Sequence, residues 1–312
     1  MNTNTPKLSL GPVQYYWGRD AMLDFYRRIA DTKIDIIYLG ETVCAKRKLL
    51  RRDDWLNLAK QLQNAGKEVV LSSMTLIEAN SELATLKNLC ENIEFTIEAN
   101  DMAAVQQLTG RSFITGPAIN IYNPRSLQVL AKRGLKRWVL PLELSKQALA
   151  DINKEKPTEI ETEVFVYGRL PLAYSARCFT ARAHNLPKDD CQYRCLDYPD
   201  GLLLSTQEKE PFLTLNGIQT QSAKTSNLIT ELDDLIQHNV DVLRISPPSQ
   251  HSEKIIDIFY QCLHHGYPLE QANNELQALM PTGGQCNGYW HGSSGMDQCT
   301  KTQEATWQSM QS

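Results

Sequence analysis

The chain has 312 residues, of which 42% are hydrophobic and 22% charged, a composition typical of a globular protein with a large core. Its net charge of -4 and isoelectric point near 5.9 argue against a general nucleic-acid surface or a surface for anionic membranes. There is no apolar run of about 18 residues and no apolar N-terminal segment, so we expect a cytoplasmic protein without a membrane span or signal peptide.

Short apolar runs that favour β-strands recur along the chain, separated by stretches with helical periodicity. The predicted strands are Leu8–Tyr16, Ile34–Leu39, Glu68–Leu71, Ile93–Ile97, Ser112–Ile114, Arg137–Leu140, Glu163–Val166 and Val240–Ile245. The predicted helices are Asp20–Ala30, Asp54–Ala65, Leu76–Asn88, Ala103–Leu108, Pro124–Gly134 and Ser252–His264. This alternation predicts an α/β fold, a TIM-barrel-like closed barrel, although an open doubly wound sheet would give the same pattern.

The alternation is interrupted between the seventh and eighth predicted strands. Residues 168–235 carry three cysteines, the turn Tyr198–Gly201 and two β-like runs, Leu202–Ser205 and Phe212–Leu215. We therefore predict a single barrel-like domain over residues 1–292, in which residues 168–235 form an excursion over one face. Residues 293–312 are polar and lack periodicity, so we predict a disordered tail there.

Three of the eight cysteines, Cys178, Cys191 and Cys195, lie within this excursion. In a reducing compartment such a cluster more often binds a metal or serves catalysis than forms disulfides. Cys44 follows the second predicted strand, and residues at the C-terminal ends of barrel strands face the mouth. We therefore expect Cys44 to meet Cys178 there, with Cys191 and Cys195 facing one way on a helical turn.

Four cysteine ligands suit either zinc or an iron–sulfur cluster. The sequence has no paired Cys-x2-Cys knuckles of the zinc-ribbon kind, and Tyr198 stands where a Cys-x3-Cys-x2-Cys radical-type motif needs its last cysteine. His184 could complete a Cys3His zinc site, and Cys286 is a substitute ligand. Some of the thiols could instead be ordinary buried side chains. The residues alone leave these alternatives open.

Two groups of polar residues are candidates for substrate binding. Glu98, Asn120 and Glu143 follow predicted strands and could orient a substrate or transfer protons. Arg177 and Arg182 could clamp a carboxylate. Helix capping and solvated loop positions are the alternatives for these residues. We expect no working peptidase, because no Ser/His/Asp order, nucleophile elbow or His-Glu-x-x-His run is present in the sequence.

The segment Val166–Arg182, continued by Pro187–Cys191, closely resembles the collagenase-like peptidase family. The likeness runs from about Leu8 to Trp290, and the run Tyr174–Arg182 is its most specific part. Further matching stretches are Glu98–Asp101, Gly116–Asn120, Pro141–Ser145, Leu215–Thr220 and Cys286–Trp290.

The resemblance implies a [4Fe–4S] cluster held by Cys44, Cys178, Cys191 and Cys195. It also implies the iron–sulfur subunit of an oxygen-independent ring hydroxylation system in ubiquinone biosynthesis, acting as a heterodimer with a UbiU-like sister protein. A UbiT-like lipid-binding accessory protein and prephenate as oxygen donor belong to the same expectation, and no DNA partner is expected. The alternatives are an RNA-base hydroxylation protein of the same family and a non-catalytic partner subunit that its cluster stabilises.

Overall fold

The computed structural model describes residues 5–299 and consists of a closed parallel barrel with an antiparallel extension. The barrel strands are β1 (Lys7–Leu10), β2 (Ile36–Leu39), β3 (Glu68–Ser72), β4 (Thr96–Ala99), β5 (Phe113–Thr115), β6 (Leu135–Val139), β7 (Glu161–Tyr174) and β11 (Val242–Ile245). Each strand pairs with the next in parallel, and β11 pairs with both β7 and β1, which closes the ring. The predicted TIM-barrel-like fold is confirmed.

Helices alternate with the barrel strands and cover the outside of the sheet. They are α1 (Arg19–Ala30), α2 (Arg52–Asn64), α3 (Asn80–Cys90), α4 (Met102–Gln107), α5 (Pro124–Ala131), α6 (Lys146–Asn153), α7 (Phe179–Ala183), α8 (Leu232–Gln237), α9 (Ser252–His265) and α10 (Leu269–Leu279). Helices α6, α7, α8 and α10 were not predicted. Within residues 5–299, no helix combines the length and apolarity needed to cross a membrane.

Side chains alternate between two cores because successive residues of a strand point to opposite faces. Outward-facing side chains such as Leu10, Leu39 and Trp138 pack beneath the helices in one large apolar core. A much smaller apolar layer fills the barrel interior, made of Ile36, Tyr38, Val70, Ile114, Val139 and Val242. Other interior positions carry polar side chains, among them Glu98, Glu163 and Arg244.

Arg244 of β11 organises the polar interior. Its Nε donates to Glu163 of β7 over 2.8 Å, and its Nη1 donates to Glu98 of β4 over 2.7 Å. The guanidinium lies 4.0 Å from the ring centre of Tyr38, whose hydroxyl accepts from Arg137 Nη1 over 3.2 Å. These five residues are each at most 3% exposed. Buried charges at this depth need such pairing, because an unpaired one would carry the full cost of desolvation.

The excursion is built on the exceptional length of β7. Beyond the barrel this strand continues to Tyr174 and pairs antiparallel with β10 (Gln219–Asn227). The extension continues through β9 (Pro211–Asn216) to β8 (Leu202–Ser205), and the short β12 (Gln285–Cys286) pairs with β10. The β-like runs predicted in the excursion therefore correspond to β8 and β9, whereas β10 was not predicted.

Element ends differ from the predictions for local reasons. The first strand stops at Leu10 and not at Tyr16, because Gly11 is followed by Pro12, which has no backbone N–H for the ladder. Residues 293–299 are described and include the Asp297 carbonyl, which accepts from the amides of Asn287 and Gly288 over 3.0 Å. The rest of the predicted tail lies outside the described residues.

Replacing Glu163 by Gln tests the buried charge network. The change keeps the shape but leaves Arg244 with one carboxylate partner, so we expect the free energy of unfolding to fall by about 3 kcal/mol. Burial raises the pKa of Glu163, but Arg244 and Arg137 outweigh it and hold the pKa below its ordinary value of 4.5. The stability it adds is therefore present above that value and is lost as the pH falls through the lower, folded-state pKa.

Urea unfolding at pH 7 and in the acid range measures both effects, with Glu161→Gln as the matched control. Glu161 also pairs with Arg137, but its side chain is 42% exposed, so we expect a loss of only about 1 kcal/mol or less. Equal losses for the two variants would contradict the role assigned to Glu163.

Candidate functional site

The first cysteine, Cys44, lies in the loop that follows β2 at the C-terminal end of the barrel. The chain leaves this strand through Gly40, whose φ of +138° and approach to the Ser72 carbonyl leave no room for a side chain. The carboxylate of Glu41 accepts from the amides of Val43 (2.9 Å) and Cys44 (3.0 Å). Glu41 therefore fixes the backbone that carries the Cys44 thiol.

The second cysteine, Cys178, caps the N-terminus of α7, where its sulfur accepts from the amide of Ala181 over 3.4 Å. This short helix is fastened to the turn between β9 and β10. The Gly217 carbonyl accepts from the amide of Phe179, and the Gly217 amide donates to the Thr180 hydroxyl, both over 2.9 Å. The antiparallel extension thus sets the position of Cys178.

Cys191 directly follows the short 3-10 turn Lys188–Asp190, and Cys195 lies within a second one, Arg194–Asp197. Gln192 and Tyr193 separate Cys191 from the second turn and are left-handed, with φ of +49° and +52°. Cys191 and Cys195 consequently do not share one helical turn, contrary to the expectation from their spacing.

The four cysteines meet in one region of the barrel mouth. All are free thiols of intermediate exposure. Cys178 lies within electrostatic reach of Cys44 and Cys195, and Cys195 also lies within reach of Cys191. Burial raises the pKa of the Cys44 and Cys195 thiols, and the nearby cation Arg47 lowers it in part. The fold therefore gathers the four predicted ligands from segments remote in sequence.

Two lysines tie these segments together. Nζ of Lys46 donates to the Lys188 carbonyl (2.8 Å) and to the Asp189 carboxylate (3.1 Å). Nζ of Lys188 in turn donates to the Ala176 carbonyl over 2.7 Å. The loop after β2 is thereby fastened to both parts of the excursion that carry cysteines.

Arg47 is the buried cation of this region, with a side chain only 1% exposed. Its Nη1 donates to the Gln14 carbonyl (2.7 Å) and its Nη2 to Asn216 Oδ1 (2.8 Å), while Glu41 lies 3.7 Å away. Burial lowers the pKa of Arg47, but Glu41 and the neighbouring thiolates, Cys195 first, raise it by more. Its Nε has no acceptor of good geometry among the described residues. This side of the mouth favours a negatively charged group.

The four thiols do not form a compact site for a single metal ion. Across residues 5–299, no group of three or more His, Cys, Asp or Glu side chains gathers around one metal position. A tetrahedral zinc site with Zn–S bonds of about 2.3 Å holds its sulfurs about 3.8 Å apart. In a [4Fe–4S] cluster each cysteine binds a different iron, which spaces the sulfurs more widely. His184, the alternative zinc ligand, lies 2.9 Å from the Tyr198 hydroxyl and is engaged there.

The other cysteines are placed elsewhere. Cys286 is fully buried and packs with Phe165 and Leu170. Cys90 ends α3 in the main core, Cys262 packs against that core from α9, and the amide of Cys299 donates to Asn287 Oδ1. The structure gives none of them a place among the four gathered thiols.

An open cavity of about 830 Å³ lies at the barrel mouth, which we call the outer cavity. Asn120 and Glu143, two residues that the sequence suggested for substrate binding, line it, and the Glu143 carboxylate accepts from the Tyr122 hydroxyl. This hydrogen bond raises the pKa of Tyr122 to about 12. Glu98 lies deeper and lines a second space of about 20 Å³, the inner chamber.

The two predicted clamp arginines do not line either space. Both are exposed: Arg177 lies just before α7, and Arg182 lies on it. Two buried arginines of the mouth, Arg47 and Arg244, were not singled out from the sequence. Arg47 carried a weak signal, because it stands three residues after a candidate ligand. Arg244 is a lone charged residue in an otherwise apolar strand, and no sequence motif marked it as functional.

Two curated relatives share parts of this sequence. A protein named tRNA hydroxylation protein P from Helicobacter pylori is 29% identical over 138 residues, which cover 40% of this chain and 32% of that protein. A protein of the same name from Haemophilus influenzae is 41% identical over 59 residues, 19% of this chain and 13% of that protein. The chain thus matches a third or less of the length of these relatives.

The chain also matches solved structures at low sequence identity. The U32 peptidase Mk0906 is 11% identical, with a TM-score of 0.44 over 80% of this chain and 96% of its own. The sialic acid aldolase of Aliivibrio salmonicida is 10% identical, with a TM-score of 0.44 over 98% and 95%. The family model for peptidase family U32 matches residues 22–293. Since this match spans most of the sequence, the chain belongs to peptidase family U32.

Proposed function

We propose that this protein is the iron–sulfur subunit of an oxygen-independent ring hydroxylation system in ubiquinone biosynthesis, similar to UbiV. The observation that carries the proposal is the gathering of Cys44, Cys178, Cys191 and Cys195 beside the buried Arg47. The choice of ubiquinone over other substrates rests on the resemblance of the Tyr174–Arg182 run. A UbiU-like sister protein as heterodimer partner, a UbiT-like accessory protein and prephenate as oxygen donor complete the proposal.

The four thiolates would hold a [4Fe–4S] cluster, which supplies one-electron transfer when bound. Glu41 holds the amide next to the first ligand, and Lys46 fastens the loop of that ligand to the excursion. Arg47 offsets the negative charge of four thiolates from a position that water does not reach. These residues act by holding and neutralising the ligands, and the reacting ring would bind in the adjacent mouth.

Replacing Cys178 by Ala should abolish retention of iron and sulfide while the protein stays soluble and folded. The barrel core does not depend on this thiol, and three ligands hold a cluster far less well than four. Iron and sulfide analysis of anaerobically purified protein measures the effect. Cys262→Ala is the matched control and should keep the wild-type content, because Cys262 lies on α9 away from the other thiols.

The same variant separates a catalytic from a supporting cluster. Cys178→Ala that still co-purifies with its UbiU-like partner should have lost ring hydroxylation. Continued hydroxylation by this assembled, cluster-free complex would favour a subunit in which the cluster only stabilises the fold. Wild-type protein that contains neither iron nor sulfide would refute the cluster itself.

Replacing Arg47 by Gln should lower the midpoint potential of the cluster. Removing one buried positive charge disfavours the added electron by about 2 kcal/mol at an effective dielectric constant of about 20, a shift on the order of 50–100 mV. Anaerobic redox titration followed by electron paramagnetic resonance measures the potential. Arg47→Lys should restore most of it, and the exposed Arg182→Gln should leave it unchanged. A midpoint potential that changes in Arg182→Gln but not in Arg47→Gln would contradict the role assigned to Arg47.

A second candidate function is hydroxylation of an RNA base. The names of the two curated relatives favour it, whereas the net charge of -4 disfavours a nucleic-acid surface. Deleting the gene should lower ubiquinone in anaerobic cells and leave hydroxylated tRNA nucleosides at their normal level. Mass spectrometry of quinones and of digested tRNA from the same culture measures both. The opposite outcome would establish the RNA alternative.

A further inference from the structure

The inner chamber is enclosed by loops from most of the barrel strands. Its lining includes Pro12 after β1, Thr42 after β2, Asn100 after β4, Pro117 after β5 and Ser246 after β11. Its volume of about 20 Å³ accommodates one water-sized group. A ligand atom can therefore enter it, but an entire ring cannot.

Two polar atoms of this lining lack partners within the described part of the chain. They are Nη2 of Arg244, whose side chain is 4% exposed, and Oγ1 of Thr42 in a residue 3% exposed. Both belong to side chains that border the same small space. A buried donor without an acceptor costs about 1–3 kcal/mol, so an acceptor oxygen bound in this space would remove such a cost.

The charge of Arg244 is already balanced by carboxylates. Glu163 and Glu98 accept from it over 2.8 and 2.7 Å, and the ring of Tyr38 covers one face of the guanidinium. The other buried cation of the network, Arg137, is held by Glu161 (2.7 Å) and Glu68 (3.0 Å) toward the start of the strands, so a further carboxylate here would be a buried anion with no cation left to balance it. The chamber favours a neutral acceptor, such as a hydroxyl or carbonyl oxygen.

The outer cavity has a largely apolar wall. Met102, Val129 and Leu172 line it and are 55%, 54% and 43% exposed, large values for apolar side chains. Leu142 and Ile119 continue the same wall. An apolar surface of this kind inside a cavity of about 830 Å³ suits the hydrocarbon part of a small ligand.

The two spaces adjoin and lie beside the cysteines. Thr75, Asn100, Pro117 and Tyr174 line both of them. Thr42 stands two residues before Cys44, and its carbonyl accepts from the Thr75 amide over 3.0 Å. A molecule that reaches from the outer cavity into the inner chamber would therefore end next to the first cysteine loop.

We propose that the barrel mouth binds a neutral amphipathic molecule, with a hydroxyl or carbonyl oxygen at Arg244 and Thr42 and an apolar body along Val129 and Leu172. The inference deepens the proposed function, on which it rests for the identification of this molecule as the hydroxylation substrate. A neutral ring oxygen with a hydrocarbon substituent is the chemical class that the two spaces favour together.

Binding of two matched probes tests the site. The first is 4-octylphenol, which is neutral, and the second is 4-octylbenzoate, which carries the same tail on a carboxylate. Calorimetric titration of the anaerobically purified protein should give an affinity for 4-octylphenol at least tenfold above that for 4-octylbenzoate. Equal affinities, or tighter binding of the carboxylate, would overturn the proposed polarity.

Variants locate the binding. Leu172→Asp should weaken 4-octylphenol roughly tenfold, and Thr42→Val, which keeps the volume but removes the hydroxyl, should weaken it severalfold. Leu83→Asp is the matched control, since Leu83 is also 43% exposed but lies on α3 outside this cavity. If Leu83→Asp weakens binding as much as Leu172→Asp does, the probe binds nonspecifically and the site is refuted.

The cluster-free Cys178→Ala variant separates this inference from the proposed function. It should bind 4-octylphenol with an affinity within about threefold of the wild type, because no cysteine lines either space. Binding by a wild-type protein that carries no iron would uphold the ligand site and refute the proposed function. Loss of binding in a folded Cys178→Ala protein would overturn the site as drawn.

Discussion

The pairing of Arg244 with two carboxylates is the constraint around which the barrel is arranged. The guanidinium stands on β11, the strand that closes the ring, and its partners Glu163 and Glu98 stand on β7 and β4. Tyr38 on β2 and Arg137 on β6 complete the same network. A charge inside a closed barrel is tolerated only when its partners arrive in register. Closure of the sheet and completion of the network therefore depend on each other.

The two arginines of the network lie toward opposite ends of the barrel and differ in how completely they are hydrogen-bonded. Toward the start of the strands, Arg137 is held by Glu68 and Glu161 at their solvent-facing edge. Toward the strand ends, Arg244 keeps one donor atom without a partner among residues 5–299. The donor of the network that lacks a partner thus lies toward the strand ends, the face at which barrels of this kind carry their binding sites.

The sequence predicted the barrel because its strands are almost continuously apolar and spaced by helical patterns. It missed β10 because Gln219–Asn227 is polar, and its buried side chains are satisfied by other amides: Gln219 and Gln221 both donate to Gln14 Oε1. It placed Cys44 and Cys178 at the mouth from strand order alone. It could not find Arg47, whose burial depends on Asn216, a residue remote in the chain that only the folded extension brings near.

Gln14 lies between Arg47 and Arg244, two buried arginines of the mouth whose surroundings favour different kinds of ligand. Its carbonyl accepts from Arg47, while its side chain borders the inner chamber that Arg244 also lines. Arg47 faces thiols and one carboxylate 3.7 Å away, so added negative charge is favoured on its side. Arg244 already contacts two carboxylates at hydrogen-bond distance, so added negative charge is disfavoured on the other. A single loop thus separates a region suited to an anionic cluster from one suited to a neutral ligand. Because the two regions are contiguous, a ligand bound in the second would lie beside whatever the cysteines hold.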